Sequence, residues 1–224
     1  MFSDFFSRVG ALDTIRVTLI MSVASTCVAS ILGIALGLWL EKHSFPGKRL
    51  VIRINRTMMG VPPVVVGLVV YMLLMRRGPL GFAGWLFTIR GMVLAQVIII
   101  TPIICGMVHS HAARTAPLVR IYARTMGANK RQTALLLLKE MRNELYFSVV
   151  TGYGRSISEV GAVLLVGGNI KNKTRTMTTA ISTLQSAGVF TDGILLGVIL
   201  LIMAFIIQTL ADYLRKDVHY DENY

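Results

Sequence analysis

Charge is scarce in this sequence: 15% of its 224 residues are Asp, Glu, Lys or Arg, against about 25% in a typical soluble domain. Acid is scarcer still, with 11 Asp and Glu against 23 Lys and Arg. The two cysteines, Cys27 and Cys105, both fall inside apolar stretches. That argues against a disulfide or a cysteine metal site and for two small core residues. No base-stacking aromatic platform accompanies the net charge of +12, which argues against nucleic acid as a partner. Paired catalytic carboxylates, a nucleophile elbow and a metal-ligand cluster are missing too. A membrane-embedded enzyme using Glu159, His109 or His111 is therefore the remote alternative. No tandem repeat, low-complexity tract or linker divides the chain.

What the chain has in quantity is hydrocarbon. Its residues are 54% hydrophobic and the mean hydropathy is +0.65. Several uninterrupted apolar runs approach the ~20 residues that a helix needs to cross a bilayer core of ~30 Å. The expectation is an all-α, polytopic membrane protein forming a single domain over residues 1–224. Its five transmembrane helices are expected at about 17–40, 57–75, 91–108, 145–166 and 193–211. The first run, Val17–Leu40, carries no charge and no A-x-A site follows it, so it reads as a retained span and not as a signal peptide.

Residues 1–16, mixed in charge and aromatic, read as an interfacial lead-in, and Glu41–Arg56 as a short basic loop. The second span opens Met58-Met59-Gly60-Val61-Pro62-Pro63-Val64-Val65-Val66-Gly67. Two early prolines mark either a helix start with Pro in its first turn or a broken segment lining a cavity. Pro102 is expected to interrupt the third span. His109 and His111 follow it with no third ligand nearby, so they read as interfacial and not as a metal site. Met177–Phe190 alternates apolar and small polar residues, as a re-entrant or interfacial helix does, and Asp212–Tyr224 is a short polar tail.

Lys and Arg set the orientation. The N-terminal segment, Arg76–Arg90 and the loop after the fourth span together hold eight. The segments at 41–56, 109–144 and the C-terminus hold fourteen. The positive-inside rule then places the N-terminus outside, the segment at about 114–143 in the cytoplasm and the C-terminus inside.

That cytoplasmic segment reads as a short helix closing at Gly127, where glycine suits a helix C-cap, followed by a second helical stretch over Arg131–Glu144. A rigid helix–Gly–helix elbow fits a groove on a partner protein; the plainer reading is an amphipathic surface loop. Its centre, Tyr122-Ala123-Arg124-Thr125-Met126-Gly127-Ala128, resembles the coupling motif E-A-A-x3-G-x9-I-x-L-P of ATP-binding-cassette importer permeases. Ala123 and Gly127 match. Ile121 and Tyr122 replace the Glu and first Ala, Leu137 stands for the Ile, and Lys139-Glu140 replaces Leu-Pro.

Further along, Gly154-Arg155-Ser156-Ile157-Ser158-Glu159-Val160-Gly161-Ala162-Val163 and Val166-Gly167-Gly168-Asn169-Ile170 resemble the oxyanion branch of these permeases (tungstate, molybdate, sulfate). The tungstate-type group is the most similar. It has a Pro-Pro-x-x-x-Gly opening to the second span and tolerates a Glu-containing end to the coupling motif.

The resemblance implies a type I importer permease fold. It also implies a homodimer, cytoplasmic ATPase subunits on the coupling loop, an extracytoplasmic solute-binding protein, and tungstate as the cargo. Molybdate, sulfate or another small solute such as an amino acid is the alternative. No G-x-x-x-x-G-K-[ST] occurs in the chain, so the expectation is a non-enzymatic subunit that binds no cofactor, with ATP and Mg²⁺ on the partner ATPase.

Arg155 and Glu159 are four apart, placing them on one helix face within pairing distance. Charges within a bilayer face an interior and pair. The pair either fixes helix packing alone or attracts an oxyanion through Arg155 while Glu159 keeps the affinity low enough for release. Gly154, Ser158 and Ala162 form a small-xxx-small row expected at the dimer axis. Gly161 is expected on the same path or dimer face, and Pro62, Pro63 and Gly67 are the candidates for the other wall of the path.

Overall fold

A computed structural model describes residues 10–216, with side chains through Tyr213. The described residues form α1 (Ala11–Lys42), α2 (Lys48–Met59), α3 (Pro63–Leu74), a short 3-10 turn (Gly81–Ala83), α4 (Ile89–Thr125), α5 (Lys130–Glu140), α6 (Arg142–Ile157), α7 (Gly161–Gly167), α8 (Met177–Ser186) and α9 (Phe190–Lys216). Three helices, α1, α4 and α9, are long and apolar enough to cross a membrane. The bent pairs α2–α3 and α6–α7 bring the total to five when each is one span.

The frame is a parallel pair, α1 and α4. Ser25, Gly33 and Gly37 of α1 meet Gln96, Ile104 and Val108 of α4, a constant offset of 71 residues. Ser25, Ala29, Gly33 and Gly37 recur every fourth residue, so one face of α1 is almost bare backbone, and α4 lies directly against it. A Cβ on Gly37 would sit 2.9 Å from the Cys105 carbonyl oxygen. Helix α6 runs antiparallel on this pair, with Gly152 against Ile100 and Ile104. Where the three helices meet, the Gln96 side-chain oxygen accepts from Ser25 (2.5 Å) and Ser156 (2.6 Å), and Gln96 Nε2 donates to the Ser156 carbonyl (2.9 Å). In hydrocarbon such groups are satisfied only within the protein.

A second layer is α3 on α7. A Cβ on Gly67 would lie 2.6 Å from Ala162 Cα, and one on Gly161 would lie 2.5 Å from the Val64 side chain. Val66, Val70 and Leu74 of α3 bury against Ala95, Ile99, Ala162 and Val166. At the opposite end of the bundle from the α4–α5 turn, Ala11, Met177, Ala180 and Leu196 join α1, α8 and α9.

Several expectations change in detail. Glu41–Arg56 is largely the helix α2, whose basic face made it look like a loop. The expected second span, 57–75, is cut at Gly60–Pro62 by a 101° bend. Pro62 lacks a backbone donor and Pro63 opens α3, so the break and the proline start are one feature. Pro102 does not interrupt the third span. Both Pro102 and Pro117 sit inside α4, which continues for 37 residues, about 55 Å at 1.5 Å per residue. That exceeds the bilayer core, so the expected loop at 114–143 begins as the free end of a spanning helix. The fourth span, 145–166, is bent by 58° between α6 and α7. The first turn of α8 is buried within the protein: Met177, Thr178, Thr179 and Ala180 are all covered. Most of the lead-in and the last part of the polar tail lie outside the described residues.

Candidate functional site

Two places hold the residues singled out by sequence, and the first is the elbow between α4 and α5. Gly127 adopts a left-handed φ of 68°. The Ala128 N–H donates to the Ala123 carbonyl (2.8 Å) and the Gly127 N–H to the Arg124 carbonyl (3.1 Å), the paired bonds of a Schellman closure. Asn129 then caps α5. Its Oδ1 accepts from the N–H groups of Arg131 (3.0 Å) and Gln132 (2.9 Å), while Gln132 Oε1 accepts from the Asn129 N–H (2.8 Å). Both sides of the turn are thereby locked.

The elbow presents a knob. Met126 is 83% exposed, Tyr122, Arg124 and Thr125 are exposed beside it, and Leu118 and Ile121 extend the apolar strip one turn back. Ala123 is buried and faces inward. Ala128 turns towards a cavity of about 540 Å³ that also borders Glu41, Arg120, Arg124 and Lys130. There Arg120 Nη2 pairs with Glu41 Oε2 at 2.6 Å, tying the end of α1 to the free part of α4. An apolar convex knob on a braced helix end is a docking feature.

The second place is the break between α6 and α7. Ile157 ends α6, and Ser158, Glu159 and Val160 precede α7. Ser158 Oγ donates back to the Gly154 carbonyl (2.9 Å), a bond that bends helices. Glu159 Oε1 accepts from the Ala162 N–H (3.2 Å), capping α7, while Oε2 pairs with Arg155 Nη2 at 3.2 Å. Thr178 Oγ1 donates to the Glu159 carbonyl (2.9 Å), which fixes the break to α8. The ion pair expected from helical spacing therefore forms, but Glu159 lies in the break and not on a continuous helix face.

The two charges are unequally placed. The Glu159 side chain is 4% exposed and that of Arg155 36%. Both carboxylate oxygens are engaged, and the guanidinium keeps an open side.

The expected small-residue row does not share a surface. Gly154 and Ser158 are exposed, and a Cβ on Gly154 would meet nothing within 4 Å. Ala162 is fully buried against Gly67, because the 58° bend rotates α7 away from the face of α6. The α3–α7 contact brings Gly67 and Gly161 close to the break, with Pro62 and Pro63 at the start of α3. The Ser25–Gln96–Ser156 network and the Thr178 tie escaped sequence reading. Serine and threonine scattered through apolar runs carry no spacing signal that separates buried partners from surface ones.

Comparison with known proteins matches residues 30–220 to the family described as "Binding-protein-dependent transport system inner membrane component". Similar proteins include the tungstate uptake system permease protein TupB of Peptoclostridium acidaminophilum, 38% identical over 91% of this chain and 89% of the relative. A probable anion ABC transporter permease protein of Haloferax volcanii is 38% identical over 89% of this chain and 88% of that one. The tungstate uptake system permease protein TupB of Campylobacter jejuni is 34% identical over 96% of this chain and 90% of that one. With a braced exposed elbow, a broken intramembrane helix and a match over most of its length, the chain belongs to the inner-membrane components of binding-protein-dependent transport systems.

Proposed function

We propose that this chain is the permease subunit of an ATP-driven tungstate importer and that its path passes the α6–α7 break. The observation that carries the cargo class is the asymmetry of the Arg155–Glu159 pair. Glu159 is buried with both oxygens engaged, and Arg155 is open. The site thus offers a cation to the path and withholds the anion. A tetrahedral dianion such as tungstate finds one partly neutralised guanidinium, attractive enough to enter and weak enough to leave. At the break, among the described residues, a zwitterionic amino acid would find no free carboxylate for its ammonium group, since Glu159 is already engaged. The relatives named for tungstate uptake support the specific cargo; molybdate and sulfate, of like shape and charge, are the second reading.

Sidedness follows from where the basic segments meet. The Glu41–Arg120 pair holds the end of α1 beside the tail of α4, so the 41–56 and 109–144 segments share one end of the bundle. The positive-inside rule makes that end cytoplasmic, with the N-terminus outside and the C-terminus inside. The Met126–Tyr122 knob then faces the cytoplasm as the seat of an ATPase subunit. A solute-binding protein approaches the opposite end. The open Gly154–Ser158 face and the exposed apolar side of α9 (Leu201, Phe205) offer surface to a second copy in a homodimer.

Co-expression with the candidate ATPase tests the reading. Co-purification in near-equal amounts, lost on Gly127→Asp, together with ATP hydrolysis stimulated by tungstate-loaded binding protein, is the expected result. No ATPase bound to the unmodified chain, or stimulation by an amino-acid-loaded protein alone, would overturn it.

A further inference from the structure

At the α1 end, a cavity of about 310 Å³ lies between α1, α2 and α4, bordered by Asn55 and Arg56 of α2 and by His109, Ser110 and His111 of α4. His109 also lies beside the Gly37 carbonyl of α1, and its Nδ1 atom is buried behind the cavity wall without a hydrogen-bond partner among the described side chains. A buried polar atom of this kind calls for a partner.

Helix α2 is built to bring one. At 100° per residue, Lys48, Arg49, Arg53 and Arg56 fall on one side, and Leu50, Val51, Ile54 and Met58 on the other. No residue of α2 is buried, and Leu50, Val51 and Ile54 are exposed. Its seat is nonetheless defined: Asn55 Nδ2 donates to the Pro102 carbonyl at 3.1 Å, and a Cβ on Gly106 would lie 2.6 Å from Met59 Sδ. The 101° bend turns α2 across the direction of α3, towards the membrane plane.

The level of the membrane surface is marked beside it. Trp39 stacks near His43 and Phe45, with ring centroids 5.3 and 5.4 Å apart, an aromatic cluster of the kind that sits at bilayer interfaces. Leu40, the next residue, borders the cavity. Acid is sparse around it: from residue 42 to residue 139 the chain has no Asp or Glu, and the nearby Glu41, whose charge reaches His109, is paired with Arg120.

We infer that this cavity binds the phosphate of an anionic phospholipid, with Arg56 and the His109 and His111 rings around the head group and the acyl chains along the apolar side of α2. A phosphate-bearing ligand supplies an acceptor to Arg56 and to a ring N–H of the neutral His109. A lipid, and not a free phosphate, also covers Leu50, Val51 and Ile54. The inference uses the proposed sidedness only to place the lipid in the cytoplasmic leaflet, where a basic pocket between helices and a juxtamembrane cationic helix meet anionic lipid.

Native mass spectrometry of the full chain, titrated with phosphatidylglycerol, with phosphatidylcholine of the same acyl chains and with inorganic phosphate, tests it. One phosphatidylglycerol per chain should be retained in preference to phosphatidylcholine. Arg56→Gln, an exposed position that leaves folding intact, should lower its occupancy about fivefold, and His109→Leu should do the same. Arg76→Gln, in the loop after α3, should leave it unchanged. Equal retention of the two lipids, or wild-type occupancy in Arg56→Gln, would overturn the inference. Displacement of the lipid by millimolar phosphate would assign the site to a free oxyanion and sink the lipid reading. Binding is read without transport, so failure here leaves the permease reading untouched.

Discussion

Gly33 of α1 lies so close to Ile104 of α4 that a β-carbon on the glycine would sit 2.8 Å from the Ile104 Cβ. The contact belongs to the row that lets two spanning helices run side by side. Gly33→Val should therefore force α1 and α4 apart. Overpacking of this kind costs about 1–3 kcal/mol. Thermal unfolding in detergent should show a clearly lowered midpoint, whereas Gly47→Ala, where a Cβ meets nothing, should show only the smaller cost of a left-handed φ. An unchanged midpoint in Gly33→Val would mean that the pair is not the frame of the fold.

The buried Gln96 network makes a prediction about non-additivity. Gln96→Leu strips the acceptor shared by Ser25 and Ser156 and removes the shorter of the donors to the Ser156 carbonyl, which keeps the Glu159 N–H at 3.4 Å. Unsatisfied buried groups cost about 1–3 kcal/mol. Replacing all three together (Ser25→Ala, Gln96→Leu, Ser156→Ala) should recover part of the loss, since fewer polar atoms are then stranded. A triple variant destabilised by the sum of its single changes would show that the three residues do not act as a unit.

At the elbow the strain is conformational. A Cβ on Gly127 would have open space, but its φ of 68° disfavours any L side chain. Gly127→Val should cost roughly 1–2 kcal/mol locally, unlatching the turn while the spans stay folded. Co-purification with the ATPase should fall several-fold with the chain's own unfolding midpoint almost unmoved. Gly127→Asn, which tolerates this region better, should retain most of the binding. Equal binding by all three proteins would remove the elbow from the docking account.

Glu159 is asked to cap α7 and to restrain Arg155. Glu159→Gln keeps the cap through its amide oxygen and removes the charge. With Arg155 one-third exposed, the loss of a hydrogen bond between charged groups is worth about 1–3 kcal/mol at most. The protein should fold, bind the ATPase and hold tungstate more tightly while turning over more slowly. A variant with faster turnover and weaker retention would contradict the restraining role.

These features were unevenly legible in the sequence. The apolar runs and the glycine that ends α4 were visible because bilayer thickness and a left-handed cap each demand a residue pattern of fixed form. Helix α2 was obscured by its own cations, which suggested a loop although they fall on one side at helical spacing. Pro102 suggested an interruption, yet α4 continues through it and through Pro117. The bend at Ser158–Val160 was invisible, since no proline marks it: a serine back-bond and a glutamate cap make it, and both are choices of side-chain conformation. The spacing of Ser25, Ala29, Gly33 and Gly37 passed unnoticed within an apolar run that signalled only a span. Which helix it packs against is a tertiary fact, supplied only by the register of α4.

The central claim is that the open guanidinium of Arg155 serves the passing oxyanion. It is tested most directly by initial rates of tungstate uptake into proteoliposomes holding the whole importer, with wild-type, Arg155→Lys and Arg155→Gln chains. Arg155→Gln should lower uptake by about tenfold or more while ATPase docking stays intact, and Arg155→Lys should retain an intermediate rate, since it keeps the charge without the planar fork. Uptake by Arg155→Gln within twofold of wild type would show the pair to be packing alone, and the path would have to be sought elsewhere in the bundle.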